Sequence, residues 1–595
     1  MLNKLRHREN KLQAYVLSWT QKLQKYQSAR LLTGLLFCLS LIPLALPQKA
    51  SWEFSFPTLF LLSFLVFVIR TRRIHRHTRR LQKLLQFTQR QKKRCLGQAS
   101  GQDGLAVKKW AQEFPLVTDI HLLGEHSLWT VMDETLTEGG KKHLLAWMSV
   151  KPLAVSTLQE RQNLLRRLRP QAWFYTRMVV SSESESLDVS TLQVEEFLHR
   201  PFVAPSFFKL FAANWIVWLL TVAFLFLWST REGEGFPGWT LAVFPLLSLI
   251  SIGSVATVFM RGVGLTHHLE ALAPLLQALE ERTQWNQDLR ALCPTIARHR
   301  PSRDVGRLET ILGFLGTQTN PLLHFLLNVL MPWTVTAAYC LERLRQRQAQ
   351  SFPEISRELA EWEVWGSLLV FDKYQTQTYA EYSDQAVFAG EGLFHPLLSR
   401  DQVVANDFSF PRGKSLGLLT GSNMSGKSTF LRTIGINQIL ANMGAPVFAK
   451  RLQTRPWRLE TCIEVSDSLR DGYSYFYAEV RRLKQILQAV SSTEPVLYLI
   501  DEIFRGTNNR ERHIGSKSVI RTLAQSSNSL GFVSTHDLDL VILEESTPSV
   551  LNLHFREEVD SAGQMTFSYH LNYGPCVTTN ALRIMRNEGI RIEES

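Results

Sequence analysis

The residues best suited to chemistry lie in the run TGSNMSGKST at 420–429, which follows a strand-like apolar stretch at Leu416–Leu419. The spacing GxxxxGK[ST] is typical of a loop that surrounds phosphate groups, because glycines let consecutive backbone N–H groups turn toward phosphate oxygens. Lys427 would place its charge on the β- and γ-phosphates, and Ser428 would place its hydroxyl on Mg²⁺. We therefore expect ATP and Mg²⁺ as cofactors. The expected nucleotide-binding residues are Gly421, Ser422, Asn423, Met424, Ser425, Gly426, Lys427, Ser428 and Thr429.

An acidic pair ends the apolar run VLYLIDE at 496–502. Consecutive apolar residues of this length indicate a strand that is buried on both faces of a parallel sheet. Asp501 is expected to bind the metal together with Ser428, and Glu502 is expected to polarise the attacking water. The run therefore supplies the acidic half of the predicted ATP site.

A histidine follows the next strand-like run, LGFVST at 530–535. In an open α/β sheet the carboxyl end of such a strand faces the ligand, so we expect His536 to contact the γ-phosphate. The predicted catalytic residues are Glu502, His536 and Lys427.

A small polar cluster between these motifs, within Ile463–Val480, leads into a helical pattern. Two interpretations of Ser474 stay open. Its hydroxyl could reach the γ-phosphate of the opposite subunit in a composite site, or it could cap the helix of an ordinary surface loop.

The motifs resemble those of the MutS mismatch-repair ATPases. TGSNMSGKSTFLR at 420–432 is similar to TGPNMGGKSTYLR, and DEIFRGTNNRER at 501–512 is similar to DEIGRGTST. STHDLDL at 534–540 resembles ATHYHEL, and SDSLRDGYSYFYAEV at 466–480 resembles the signature SDDLxxGxSTFxxEM. The four motifs occur in the family's order and cover about residues 390–590.

The resemblance extends upstream and carries further implications. VVANDFSF, beginning at Val403 and Val404, is similar to the family's lead-in strand, so these two valines would border the adenine. Residues 127–168 resemble the start of the helical core, and residues 361–369 resemble the end of the long lever helices. The family likeness implies an ABC-type nucleotide fold, a homodimer with two composite ATP sites, and levers between ATPase and DNA.

Four uncharged apolar runs are expected to form two transmembrane hairpins. Membrane-crossing helices need about 17–25 residues, and uncharged stretches of this length are uncommon in soluble cores. The alternative is two buried core hairpins. The runs are Leu31–Pro47, Phe54–Ile69, Leu210–Thr230 and Phe236–Met260. A further apolar stretch, Thr310–Leu341, is expected to be buried or to touch the membrane.

Basic charge is concentrated before and after the first hairpin. Residues 1–94 contain 19 Lys and Arg and two acidic residues, whereas the whole chain carries a formal net charge of +13. The positive-inside rule then places both termini and the ATPase domain in the cytoplasm of a multi-pass protein in a bacterial-type cytoplasmic membrane. The basic run Arg70–Arg94 would meet anionic lipid headgroups, and DNA phosphate is the alternative.

The expected fold is a C-terminal α/β P-loop ATPase domain of ABC type, joined to an all-α MutS-core and lever region that carries the hairpins. The chain resembles a truncated, membrane-anchored member of the family that lacks the N-terminal mismatch-recognition domain. The expected segments are 1–30 (basic, cytoplasmic), 31–69 (hairpin), 70–117 (basic, juxtamembrane), 118–209 (helical core), 210–260 (hairpin), 261–390 (core and lever) and 391–595 (ATPase).

Two functions are consistent with this organisation. In the first, a membrane-anchored ATPase binds double-stranded or branched DNA, as in mismatch repair, and hydrolyses ATP to move its levers or clamp. In the alternative, a membrane-embedded ATPase gates or remodels a membrane complex without binding DNA.

Overall fold

The structure, a computed structural model, divides into two compact units. The first contains Met1–Asp133, Trp147–Arg169 and Leu368–Ser595, and the second contains Glu134–Ala146 and Pro170–Ser367. The structure describes residues 2–41, 55–99, 116–149, 152–182, 191–199, 201, 207–229, 265–315, 327–328, 330–375, 378–383, 385, 387–401, 403–422, 424–464, 475–504, 508–559 and 565–576.

Helices supply most of the described structure before residue 375, and strands alternate with helices after it. The helices are α1 (Leu2–Ser40), α2 (Ser55–Cys95), α3 (Leu116–Asp119), α4 (Leu128–Met132), α5 (Glu138–Met148), α6 (Val155–Leu168), α7 (Ala172–Ser182), α8 (Thr191–His199), α9 (Phe207–Ser229), α10 (Thr266–Trp285), α11 (Gln287–Leu292), α12 (Pro294–His299), α13 (Ser302–Leu315), α14 (Trp333–Gln348), α15 (Phe352–Tyr374), α16 (Lys427–Met443), α17 (Tyr475–Val490), α18 (Asn509–Ala524) and α19 (Leu543–Ser546). The strands are β1 (Thr378–Tyr379), β2 (Glu381–Tyr382), β3 (Phe388–Leu393), β4 (Asn406–Ser409), β5 (Leu416–Thr420), β6 (Pro446–Val447), β7 (Arg451–Thr454), β8 (Arg458–Cys462), β9 (Val496–Asp501), β10 (Ser529–Ser534), β11 (Val550–Val559) and β12 (Met565–Tyr573).

The main sheet of the first unit has the strand order β12-β11-β5-β10-β9-β8. Strands β11, β5, β10, β9 and β8 run parallel, and β12 pairs antiparallel with β11. Because β10 lies between β5 and β9, the carboxyl ends of these three strands meet at one edge of the sheet. That edge is where open α/β sheets bind ligands.

Helices cover both faces of this sheet, as its buried parallel strands require. On one face, Leu483 of α17 and Ile520 of α18 join a core with Tyr498 and Ile500 of β9. Side chains alternate along a strand, so Leu499 points to the opposite face, where Gly435 of α16 approaches it closely. A smaller sheet with the order β2-β7-β3-β4 also belongs to this unit.

Helices α1 and α2 pair as an antiparallel hairpin. Lys92 forms a 2.8 Å ion pair with Glu9, and further along the hairpin the ring of Phe64 lies against Gly34. Several large apolar side chains near the connecting end are exposed to the surroundings. They include Leu31, Leu32, Leu35, Leu39, Leu59, Leu62, Leu65, Val66 and Ile69. Each helix therefore joins a charged half to an apolar half.

In the second unit, α10 packs against α13. Leucines at 269, 272, 276 and 279 are buried along α10, with the three- and four-residue spacing of a helix face turned to a core. Glu363 of α15 is also buried, and its carboxylate accepts hydrogen bonds from the backbone N–H groups of Leu136 and Thr137 at 3.0 Å. This buried acid fixes the chain before α5.

One helix in the described part of the chain, α9, is long and apolar enough to cross a membrane by length and composition. It contains most of the expected run Leu210–Thr230. The runs of the first expected hairpin lie partly at the ends of α1 and α2, and Pro47 and Phe54 fall outside the described residues. The run Phe236–Met260 lies wholly outside them. The two transmembrane hairpins and the segment boundaries stay predictions.

The apolar stretch Thr310–Leu341 is described only in part. Its first residues end α13, and its last residues begin α14, where Val335, Ala338 and Leu341 are buried. For α14 the expected burial is therefore observed.

All six cysteines are free thiols, and Cys38 is exposed near the end of α1. Burial raises the pKa of the Cys95 and Cys293 thiols and raises that of Cys462 to about 12. The chain therefore combines an exposed thiol on the hairpin with three buried thiols, while Cys340 and Cys576 are partly exposed.

Candidate nucleotide site

The loop after β5 has the backbone that a phosphate-binding loop requires. Gly421 and Gly426 have φ angles of 138° and 110°, which side-chain-bearing residues rarely adopt. A Cβ atom at Gly421 would lie 2.8 Å from the carbonyl oxygen of Phe555. Met424 also has a positive φ, of 69°, and its side chain is exposed. Asn423 lies outside the described residues.

Lys427 is the first residue of α16 and is buried. Its ammonium group donates hydrogen bonds to the carbonyl oxygens of Gly421 at 2.8 Å and Ser422 at 2.7 Å. The positive end of the helix dipole lies at the same place, so the loop concentrates positive charge where an anion would bind. The hydroxyl of Ser425 is buried and has no hydrogen-bond partner among the described residues. A phosphate oxygen would supply that partner.

The two predicted metal ligands are in direct contact. The Ser428 hydroxyl donates a 2.6 Å hydrogen bond to one carboxylate oxygen of Asp501, and the Ser534 hydroxyl contacts the other. Asp501 is the last residue of β9 and Ser534 is the last residue of β10, directly opposite it in register. A hydroxyl beside a carboxylate is a hard oxygen donor set, which fits Mg²⁺. The contact of Ser534 with Asp501 was not predicted, although Ser534 lies in the strand-like run recognised at 530–535.

Glu502 and His536 form the other polar pair of the site. The backbone N–H of Glu502 donates to the carbonyl oxygen and the hydroxyl of Ser534, at 3.2 and 3.1 Å. Its carboxylate contacts Nε2 of His536, and Nδ1 of His536 lies 3.1 Å from the Gly421 carbonyl oxygen. The imidazole therefore connects the carboxylate after β9 to the first glycine of the loop.

A cavity of about 460 Å³ opens beside the loop. Val403 and Val404 line it, as the lead-in resemblance implies, together with Gly426, Ser428 and Glu502. The lining residues that had no assigned role in the sequence include the exposed Tyr569 and the buried His395. The cavity places apolar and aromatic surface beside the phosphate loop, which suits a nucleotide base.

Burial, together with the smaller effects of the nearby His121 and Arg432, lowers the pKa of His395 to about 3. Its Nδ1 accepts a 3.3 Å hydrogen bond from the backbone N–H of Leu397. The ring is therefore neutral at physiological pH. His395 lies in FHPLL, and the proline after it was the available signal of a fixed, local conformation.

The structure brings most of the predicted site together, and the roles of the individual residues stay predictions. The residues found at the loop, the acidic pair or the cavity are Gly421, Ser422, Met424, Ser425, Gly426, Lys427, Ser428, Thr429, Val403, Val404, Asp501, Glu502 and His536. Ser474 precedes α17 but lies outside the described residues, so neither interpretation of it is decided.

Comparison with known proteins agrees with this architecture. Residues 417–591 match the family MutS domain V. The chain is 31% identical over 199 residues to a DNA mismatch repair protein MutS of Staphylococcus haemolyticus, over 33% of this chain and 22% of that protein. It is 28% identical over 239 residues to the DNA mismatch repair protein MutS of Bacillus subtilis, over 39% of this chain and 27% of that protein.

An archaeal relative, a DNA mismatch repair protein MutS 2 of Halobacterium salinarum, is 29% identical over 203 residues, which is 34% of this chain and 23% of the relative. The chain therefore spans about a quarter of the length of the curated relatives it matches. The family match lies in the region that contains the nucleotide site.

Proposed function

We propose that this chain is a Mg²⁺-dependent ATPase of the MutS type. The observation that carries the proposal is the meeting of three strand ends: the loop with Lys427, the Asp501–Glu502 pair and His536. These elements are separated in the sequence, and their side chains contact one another at one sheet edge. The glycine conformations and the unpaired Ser425 hydroxyl fit a phosphate group.

Each residue then has a definite task. Bound Mg²⁺, held by Ser428 and Asp501, would neutralise charge on the phosphates. Lys427 would leave the loop carbonyls to contact phosphate oxygens, and Glu502 would orient and accept a proton from the attacking water. His536 fixes the Glu502 carboxylate through Nε2. Its Nδ1 can hold a proton against the Gly421 carbonyl oxygen.

The test of this proposal is ATP hydrolysis by the purified full chain, with Mg²⁺ and with excess chelator. We expect turnover with Mg²⁺ only, and its loss in Lys427→Ala. The exposed Lys450 is a matched control, because it lies just before β7 of the smaller sheet and does not line the cavity. Equal activity of Lys427→Ala and Lys450→Ala would refute the site.

The proposal includes a homodimer with composite sites, in which Ser474 of one subunit would complete the ATP site of the other and ATP closure would move the helical levers. The family resemblance supports it. We expect light scattering to show that the full chain dimerises when ATP is added. We expect Ser474→Ala to lose both this dimerisation and ATP turnover. An active monomer would contradict it.

Membrane anchoring by the segments 31–69 and 210–260 is also part of the proposal. The apolar helix α9 and the exposed leucines at the connecting end of α1 and α2 support it, because water-exposed apolar patches of this size are uncommon on soluble proteins. The basic residues of α2 adjoin the apolar half, where they would meet anionic headgroups on the cytoplasmic side.

We further propose that ATP hydrolysis is coupled to DNA binding. Relatives named as DNA mismatch repair proteins support this proposal. The second candidate is remodelling of a membrane complex, which the apolar hairpin favours. Titration with duplex, mismatched and branched DNA at increasing salt distinguishes them. A DNA-binding protein loses affinity steeply with salt, and a flat dependence or no binding would favour the second candidate.

A further inference from the structure

The turn after the acidic pair adopts an unusual backbone. Glu502 and Phe504 have φ angles of 53° and 62°, in the left-handed region that residues other than glycine rarely occupy. Such conformations persist only when surrounding contacts hold them. The contacts that hold this turn therefore also set the direction of the Glu502 carboxylate.

One of these contacts comes from α17. The carboxylate of Glu479 accepts a hydrogen bond from the backbone N–H of Phe504, two residues after Glu502. Glu479 is 2% exposed, so the bond is shielded from water and strong. The ring of Phe476, on the first turn of α17, lies 6.0 Å from the ring of Phe504.

Two neighbouring elements complete the support of the turn. Ser534 of β10 holds the N–H of Glu502, as described above. On the other side, α18 approaches through Gly515, where a Cβ atom would come within 2.7 Å of the Phe504 ring. The turn is thus fixed by β10, α18 and α17, and α17 is the helix that directly follows Ser474 in the chain.

We propose that Glu479 is a positioning residue for ATP hydrolysis: its bond to the Phe504 N–H holds the turn after β9 and so fixes the direction of the Glu502 carboxylate. Without that bond the turn would relax, and Glu502 would no longer face the attacking water. This inference rests on the proposed ATPase function.

The experiment measures steady-state ATP hydrolysis and ATP affinity of the full-length protein carrying Glu479→Ala, Glu479→Gln or the control Glu494→Ala. Glu494 is a partly exposed glutamate two residues before β9, and it pairs with Arg458 of β8, away from the turn. We expect Glu479→Ala to lower kcat about 10- to 100-fold with the Kd for ATP within about threefold, because misaimed catalytic groups affect turnover rather than binding. Glu479→Gln keeps an acceptor oxygen and should lie between Ala and wild type.

A double-mutant cycle separates positioning from a general loss of structure. If Glu479 acts through Glu502, then Glu479→Ala should lower the residual turnover of Glu502→Gln by less than about threefold. Additive losses, wild-type kcat in Glu479→Ala, or parallel losses of kcat and ATP affinity would each overturn the inference. If Glu479→Ala does not fold, Glu479→Gln is judged by the same criteria. Absence of ATP hydrolysis by the wild-type chain would instead refute the proposed function itself.

Discussion

At the scale of single residues, the site depends on side chains that are held in direct contact with one another and with the loop backbone. The Ser428–Asp501 hydrogen bond and the two bonds from Lys427 to the loop carbonyls show how closely these side chains are packed. The residue types around them could be predicted because the glycine loop and its lysine are neighbours in the sequence. Their mutual contacts then follow from the parallel strand order.

The first prediction concerns Glu502. Glu502→Gln keeps the size of the side chain but removes the carboxylate that would accept a proton from water, so we expect kcat to fall at least about 100-fold. ATP binding should be retained, because the loop and the Ser428–Asp501 pair are unchanged. Rapid filtration of protein incubated with radiolabelled ATP and Mg²⁺ should show trapped, unhydrolysed nucleotide. Turnover at the wild-type rate would contradict the assigned role.

The second prediction follows from the lowered pKa of His395. The unfolded chain binds a proton at this histidine below about pH 6.5, whereas the folded chain stays neutral down to about pH 3. The contribution of His395 to the free energy of unfolding therefore falls as pH decreases through this window, by about 1 kcal/mol between pH 6.5 and 5.5. Chemical denaturation at these two pH values should show a smaller decrease in His395→Gln. The exposed His570 provides the control, and an equal decrease in His395→Gln and His570→Gln would contradict the prediction.

At the scale of elements, a short segment far upstream is built into the nucleotide domain. Asp119, at the end of α3, is fully buried, and its carboxylate accepts hydrogen bonds from the backbone N–H groups of Ile463 and Glu464 at 3.1 Å. It also binds the guanidinium group of Arg482 on α17 at 3.0 Å. The Asp119 carboxylate therefore connects the residues after β8 to α17, the helix that contacts the turn after β9.

The third prediction tests this connection through Asp119. Asp119→Asn removes the charge that balances Arg482 inside the protein, and breaking one partner of a buried ion pair costs about 3–5 kcal/mol. We expect a clear decrease in the thermal midpoint together with faster hydrogen exchange in α17. The exposed Glu381–Arg451 pair is the control, and Glu381→Gln should cause no measurable loss. Equal effects of the two variants would contradict the proposal that Asp119 stabilises the connection between the residues after β8 and α17.

These elements also show where sequence reasoning stops. The strands β5, β9 and β10 have continuous apolar runs, and the helix after the loop has a recognisable start, so the order of the nucleotide domain could be predicted. Asp119 could not be assigned, because an isolated aspartate carries no pattern and its partners lie more than 300 residues away. Glu479 was visible within a motif, but its bond to a backbone N–H depends on the unusual turn at Phe504.

At the scale of the whole molecule, the hairpin of α1 and α2 is the feature that separates this chain from a simple ATPase domain. Its charged halves are held together by polar contacts such as Lys92–Glu9, and its apolar halves present leucines to the surroundings. Composition predicted the apolar segments, but it did not show that they continue into long charged helices. A helix of about 40 residues is roughly 60 Å long, so it extends well beyond a hydrocarbon core.

The fourth prediction concerns this hairpin. Glutamate at Leu31, Leu35 and Leu62 would place charges in the lipid, each at a cost of about 2.5–3.5 kcal/mol near the bilayer centre. In inside-out membrane vesicles, we expect segment 31–69 to resist added protease in the wild type and to be cut in the triple variant. Leu17 is exposed on the charged half of α1, and Leu17→Glu serves as the control. Cleavage of the wild-type segment would contradict membrane insertion.

The distribution of thiols gives this molecule an internal reporter. Cys38 is exposed on the apolar half of the hairpin, whereas Cys95, Cys293 and Cys462 are buried and their raised pKa values suppress the reactive thiolate. In detergent solution, an environment-sensitive maleimide dye should therefore react at Cys38 before it reaches these three, in a protein that carries Cys340→Ala and Cys576→Ala because those two thiols are partly exposed. After reconstitution into vesicles, the emission colour of the dye and its quenching by spin-labelled lipids would then show whether the helix tip enters the bilayer, with no cysteine added to the chain.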